Sequence, residues 1–343
     1  MTSPFVVPFS FAKAKEHTRD KVIEEVFVGL GKGEFGFLLG PPNLGKSNLS
    51  LSLCYEAVTA TKFIGLIPDH AKPKKVLYVP YEDKLANTNT RIISHSSVLT
   101  EHQCQLIEEN FAYYNNFSPL LHIFANQSHS EELYQPVKDL IEAAKNFDLV
   151  VLDTARGLLG AWDEVKGDSL FRQTMNDIAS KADVAILINH HLTKVQSGKL
   201  DDVNSTGGSG LSTSQSESKF HIFLYTDRPK AQDKKERLCI KHTKHNYIKP
   251  DQAFTSANPI TISRHDNLLI NAAVFGKNEK IIEPSLASKT KQREKFVSRM
   301  QDEVGDVEVD KEVMNNVLTE ASKKPTAVNL DIFDLVFMND ENP

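Results

Sequence analysis

Residues 35–53 read FGFLLGPPNLGKSNLSLSL. A short apolar run ends in Gly40, two prolines and an asparagine follow, and Gly-Lys-Ser opens a second apolar pattern. The octet Gly40–Ser47, GPPNLGKS, satisfies G-x-x-x-x-G-K-[ST], the phosphate-binding loop. Its surroundings give the spacing a mechanism. FGFLLG suits a strand buried on both faces, Gly45 permits a close backbone turn, and Ser47 begins a helix expected over 47–60. Gly40, Pro41, Pro42, Asn43, Leu44, Gly45, Lys46, Ser47 and Asn48 are therefore the expected cradle for nucleotide phosphates. The loop's N–H groups are reinforced there by the positive end of the helix. Lys46 is expected to reach the β- and γ-phosphates and the Ser47 hydroxyl to bind Mg2+.

Such a loop needs an acid at the end of a neighbouring strand. FDLVVLD (147–153) ends in Asp153, the pattern of a carboxylate that holds magnesium's water shell, so Ser47 and Asp153 are the metal-side candidates. Thr154 follows, leaving no glutamate beside Asp153 to handle an attacking water. VLYVPYED (76–83) places Glu82 and Asp83 just past the strand expected after the first helix. Glu82 is the candidate for positioning water; the alternative is a loop acid capping the helix that begins near Leu85.

VAILINHH (184–191) puts Asn189, His190 and His191 at another strand end. A γ-phosphate sensor with His191 at its tip, a helix cap and a metal site are the three readings, the last opposed by the lack of a third ligand at suitable spacing. In KHTKHNYIKP (241–250), Lys241 and Lys244 either reach a phosphate the loop does not contact or blunt an edge strand.

Short apolar runs alternate with longer amphipathic stretches from residue 35 onward, as in parallel α/β units. Strands are expected at 35–40, 75–81, 120–124, 147–153, 184–190, 220–225 and 237–243. Helices are expected at 47–60, 87–95, 131–145 and 169–182. ITISRHDNLLIN (260–271) reads as an antiparallel hairpin turning at His265-Asp266-Asn267. Two loops stand out: the Gly/Ser-rich 195–218, and 157–168, which carries the only tryptophan. The expected division is an N-terminal segment 1–20, a core 21–285 and a helical or flexible tail 286–343. The tail is basic over 286–300 and acidic thereafter, ending DIFDLVFMNDENP. Its close is a docking segment for a partner protein, an arm folding onto the chain's own basic surface, or a helix packing its own core.

The 343 residues suffice for a full core, and a net charge of -5 excludes a globally basic nucleic-acid coat. Residues 228–249 nevertheless carry eight Lys and Arg against Asp233 and Glu236. Cys54, Cys104 and Cys239 are too few and too scattered for a disulfide framework or a zinc ribbon, and suit a reducing cytoplasm. No apolar run reaches membrane-spanning length, and the opening MTSPFVVPFSFAKAK is a poor signal peptide.

Taken in order, FGFLLGPPNLGKS, VLYVPYED, LVVLDTARGL, VAILINHHLTK, the GGSGLS stretch and KHTKHNY resemble the RecA-type ATPases. More narrowly, they resemble the hexameric RepA-type replicative helicases and the related AAA-25 ATPases over roughly residues 22–270. The resemblance implies an α/β fold with a twisted, mostly parallel sheet flanked by helices, ATP and Mg2+ as ligands, and a homo-oligomeric ring, usually of six. Lys46, Ser47, Glu82 and Asp153 would act from one subunit, and Lys244 would reach the γ-phosphate held by the next. Loops after Asp153 and His191 would grip single-stranded DNA, with Arg156, Lys194 and Lys199 as DNA-side candidates or plain surface charges. The chain departs from the family in GGSGLSTSQSE, which lacks the arginine often found there, and Arg228 and Arg237 are the available trans arginines. The implied function is an ATP-driven helicase or translocase in replication of a plasmid, phage or mobile element. A recombination or regulatory ATPase without unwinding, and a nucleotide-gated scaffold, are the alternatives.

Overall fold

The structure, a computed structural model, describes residues 10–115, 118–121, 134–159, 164–191, 210–227 and 236–275. The chain divides between residues 283 and 284, and all the described residues lie in the first part. The expected tail helix, its acidic end, Trp162, Lys194, Lys199 and Arg228 therefore lie outside the described residues.

Two short helices, α1 (Phe11–Glu16) and α2 (Arg19–Val22), precede a small antiparallel hairpin, β1 (Glu25–Phe27) and β2 (Leu30–Gly31). The core then runs β3 (Phe35–Gly40), α3 (Lys46–Thr59), β4 (Val76–Pro80), α4 (Leu85–Ser96), α5 (Glu101–Asn110), β5 (Phe111–Tyr113) and α6 (Gln135–Ala144). It continues through β6 (Leu149–Asp153), α7 (Ala155–Leu159), α8 (Glu164–Ala182), β7 (Ala185–His191) and α9 (Ser212–Glu217). β8 (Phe220–Asp227), β9 (Arg237–His245), β10 (Ile260–His265), β11 (Leu268–Asn271) and α10 (Ala272–Phe275) complete it.

Nine strands form one sheet in the order β11-β10-β9-β8-β3-β7-β6-β4-β5. β8, β3, β7, β6, β4 and β5 are mutually parallel, while β9, β10 and β11 extend the sheet antiparallel. The order puts β3 between β8 and β7, so the loop after Gly40 opens at the carboxyl ends of the parallel strands, where open α/β sheets bind ligands.

Period-two burial divides the core between the two faces. Leu38, Tyr78, Val151 and Leu187 pack with α3, α5 and the β10–β11 hairpin on one side. Phe37, Leu39, Val79, Leu152 and Ile188 pack with α6 and α8 on the other. Both faces of the parallel strands are covered, which explains their continuous hydrophobicity. α3 is buried along nearly its whole length, including Glu56, whose carboxylate accepts backbone N–H bonds from Ile64, Gly65, Leu66 and Ile67. Those bonds satisfy the turn after the helix and hold the charged form, against burial that raises the carboxyl's pKa.

The structure departs at Leu120 and Leu121 from the strand expected over 120–124. Leu120 and Leu121 are buried but unpaired in any sheet, donating their N–H groups to Leu158 O at 3.0 and 3.4 Å, and 122–124 lie outside the described residues. The rim beside β4 belongs instead to β5, which follows α5 directly. Apolar burial alone does not make a strand; a free ladder partner is needed. α5 is an additional element, opened by a capping box in which Thr100 and Gln103 exchange side-chain-to-backbone bonds of 3.2 and 2.9 Å. α8 starts five residues earlier than expected, and the end of the long Gly/Ser loop forms α9. The 260–271 hairpin is present, with Asp266 and Asn267 at φ 44° and 68°, the left-handed pair that two-residue hairpin turns require. Among the described residues no helix is long and apolar enough to cross a membrane.

Candidate nucleotide-binding site

The loop after β3 has the backbone that its sequence demands. Gly45 sits at φ 102°, and a Cβ there would lie 3.3 Å from Arg264 Nη2. Gly40 is equally constrained, since a Cβ would stand 3.0 Å from Leu224 O on β8. No side chain caps the N-terminus of α3. Its first-turn N–H groups and the helix dipole therefore face the loop, as an anion-binding terminus requires.

Lys46 is only 5% exposed. Its Nζ donates to Gly40 O at 3.0 Å and Pro41 O at 2.8 Å, and lies 3.1 Å from His191 Nδ1. Burial draws its pKa from 10.5 down to about 8, although Asp153 and Glu82 favour the charge. Burial, then the Lys46 charge, push His191 below its ordinary value. A neutral imidazole thus accepts from Lys46 at Nδ1 and presents Nε2 to Glu82 Oε2, 3.6 Å away. Three of the four catalytic candidates, Lys46, His191 and Glu82, form one connected row.

Strand alternation puts Asn189 and His191 on one face and His190 on the other, and of the first pair it is His191, at the strand tip, that meets Lys46. His190 is buried on the opposite face, its ring 6.0 Å from that of Phe37. Asn189 accepts a 2.7 Å bond from Ser50 of α3, which pins β7 to the helix behind the phosphate loop.

Asp153 is 4% exposed at the end of β6, two strands from β3. Its carbonyl accepts the Glu82 N–H at 3.0 Å, which joins the ends of β4 and β6 and sets Glu82 beside Asp153. Its Oδ2 accepts from the Tyr78 hydroxyl at 2.6 Å; Oδ1 has no hydrogen-bond partner among the described residues. Asp83 is tied to Arg91 at 2.5 Å, leaving Glu82, with a half-exposed side chain, as the acid open to water. An unpaired buried carboxylate oxygen and a hydroxyl at the helix start are the hard donors that magnesium takes, usually one or two from protein with the rest from phosphate and water. Ser47 and Asp153 thus fit the ion. Among the described residues no cluster of three or more His, Cys, Asp or Glu holds a metal by itself.

Lys244 lies elsewhere. It pairs with His221, which is level with Phe37, so it sits three residues behind Gly40, roughly 10 Å along the strands, and two strands across. Its Nζ donates to Gln215 O at 3.3 Å and to Ser216 O, carbonyls of the last turn of α9, and burial lowers its pKa. The pairing skips Thr243, and this bulge brings Lys241 and Lys244, three residues apart, onto the same face. β9 lies between β8 and β10 in the sheet order, although β10 pairs with it only over Leu238–Ile240, short of Lys241 and Lys244. Lys241 is 5% exposed, over the Phe223 and Tyr225 rings at 5.5 and 5.1 Å, and donates to Ser256 Oγ. Its ammonium is packed within the sheet face rather than beside the phosphate loop.

α9 is clamped at both ends. Asp168 of α8 accepts from Thr213 N at 2.6 Å and Ser214 N at 2.9 Å, while Lys244 and an Arg172–Glu217 ion pair hold its other end. Arg156 is an exposed residue of α7, directly after Asp153-Thr154. Arg237 is paired with Asp227 at 2.6 Å within the chain. Sequence reasoning missed Tyr78 and Arg264. Tyr78 looks like one more apolar strand residue, and Arg264 reaches the loop only because the C-terminal hairpin folds over α3, placing Nη2 3.5 Å from Leu44 O.

The family model AAA_25, described as an AAA domain, matches residues 2–197, more than half of the chain. No curated protein matches. Among solved structures, a KaiC-like protein from the hyperthermophilic archaeon Pyrococcus horikoshii OT3 is 12% identical, covering 72% of this chain and 98% of its own, with a TM-score of 0.47. The ATPase domain of G40P is also 12% identical, covering 70% of this chain and 85% of its own, with a TM-score of 0.47.

Proposed function

The chain belongs to the AAA_25 family of AAA domains, and on that premise we propose an ATP-driven ring, of six copies, that moves along single-stranded DNA. The setting proposed is replication of a plasmid, phage or mobile element. The P-loop family and the phosphate-loop geometry support nucleotide binding in this chain.

One observation carries the proposal. Lys46, His191, Glu82 and Asp153 converge at the carboxyl ends of the parallel strands, whereas Lys244 lies toward the opposite end of the sheet. A lysine so placed serves a phosphate held by another copy, the arrangement expected when nucleotide is bound at a seam.

The roles follow from the contacts. The loop N–H groups and Lys46 hold the phosphates, and Lys46 regains its full charge when it exchanges the Gly40 and Pro41 carbonyls for anionic oxygens. Ser47 and Asp153 Oδ1 hold magnesium, which when bound neutralises charge and orients the phosphates. Glu82 positions the attacking water, and His191, in contact with both Lys46 and Glu82, registers whether Lys46 is engaged. Lys244 of a neighbour stabilises charge at the transferred phosphate. To do so it gives up the Gln215 and Ser216 carbonyls, which loosens one end of α9. Lys194, Lys199 and Arg156 supply the sequence-tolerant phosphate grip.

The test is strand displacement on a forked duplex, run beside ATPase rates with and without single strands. ATP-dependent displacement and strand-stimulated hydrolysis are expected. Stimulated hydrolysis without displacement would replace this reading with a non-unwinding RecA-like ATPase, and nucleotide-dependent assembly with neither activity would replace it with a scaffold.

A further inference from the structure

Tyr78 is 1% exposed on β4, within an apolar cluster whose other β4 member is Val76. Packing alone does not require its hydroxyl. A phenylalanine would fill the same space without the cost of burying an O–H, which must find an acceptor. The acceptor here is Asp153 Oδ2 at 2.6 Å, on the neighbouring strand, and the ladder already joins those strands by backbone bonds. What the hydroxyl adds is control of the carboxylate. An aspartate turns freely about its last bond and offers either oxygen. With Oδ2 engaged by Tyr78, Oδ1 is left as the oxygen to offer, and it is the one without a partner among the described residues.

We propose that Tyr78 is a positioning residue for the magnesium-side carboxylate: by engaging Oδ2 it presents Oδ1 of Asp153 to the cation, and so sets the affinity for the magnesium–nucleotide pair rather than for nucleotide alone. This rests on the reading of Asp153 as the metal-side acid. Partners of this kind, one bond outside the ligands, orient them and tune the ion they hold.

The experiment compares ADP affinity by calorimetry in magnesium and in EDTA for the wild type, Tyr78→Phe and Asp153→Asn, with a thermal melt of each. The quantity read is the ratio of the two affinities. Tyr78→Phe is expected to lower the ratio on the order of 10-fold while leaving the EDTA affinity near wild type. A purely structural role would lower both affinities together and keep the ratio, which overturns the proposal. A wild-type ratio in Tyr78→Phe, with the ratio lost in Asp153→Asn, overturns it while sparing the Asp153 assignment. A wild-type ratio in Asp153→Asn overturns both. Should Tyr78→Phe not fold, 3-fluorotyrosine at position 78 keeps the shape and supplies a stronger donor; the ratio is expected to hold or rise, and a fall refutes the proposal.

Discussion

Replacing Lys46 by methionine is expected to abolish nucleotide binding and, without nucleotide, to make the protein more stable. Burial moves the Lys46 pKa from 10.5 to about 8. At roughly 1.4 kcal/mol per unit, keeping that ammonium charged in the fold costs on the order of 3 kcal/mol. Methionine fills the channel of the lysine stem without the charge. It also surrenders the bonds to Gly40 O, Pro41 O and His191 Nδ1, a loss of about 1–2 kcal/mol. A net gain of about 1–2 kcal/mol at pH 7 remains, a rise in Tm of a few degrees for a core of this size. The pH dependence identifies the cause. The unfolded chain keeps the lysine proton up to about 10.5, whereas the fold releases it near 8. Between those values the unfolded state binds more protons, so wild-type stability rises with pH through that window. The advantage of Lys46→Met should therefore be full below pH 8 and shrink toward pH 10. Thermal melts from pH 7 to 10 measure it, and adding magnesium and ATP should stabilise only the wild type. A variant less stable than wild type at pH 7, or a gap that ignores pH, refutes the reasoning.

Three further outcomes are expected. Glu82→Gln should keep ATP affinity within a few-fold of wild type while turnover falls by about 10²–10⁴; phosphate release at wild-type rate would remove Glu82 from the water's side. Lys244→Ala should lose hydrolysis on the order of 10³-fold with nucleotide affinity retained. Mixing it with Lys46→Ala should restore part of the rate, each variant completing the other's seam, and no recovery at any ratio argues against action in trans. Asp168→Ala frees the Thr213 and Ser214 N–H groups and should raise amide hydrogen exchange across 210–218, at about 2 kcal/mol of stability. Unchanged exchange there would mean that Lys244 and Arg172 suffice to hold α9.

The sequence disclosed whatever is written locally. GPPNLGKS carries its own turn chemistry, and the buried strands around it announce themselves because both sheet faces are covered. Thr100 and Gln103 also wrote a local signal, a capping box, although no apolar stripe drew attention to it. Leu120 and Leu121 misled for the converse reason: they are as buried as any strand residue but have no ladder to join. What stayed hidden depends on meetings across the chain. Tyr78 and Asp153 are 75 residues apart, Arg264 and Leu44 are 220 apart, and α9 is held by groups on α8 and β9. The bulge at Thr243 is likewise a property of the pairing with β8, so the facing of Lys241 and Lys244 was not readable from their spacing.

The described sheet stops at both rims on short strands, three residues in β5 and four in β11. Neither offers a row of open backbone groups long enough to template a neighbouring chain. Any contact made at these rims is therefore left to side chains rather than to a shared backbone ladder.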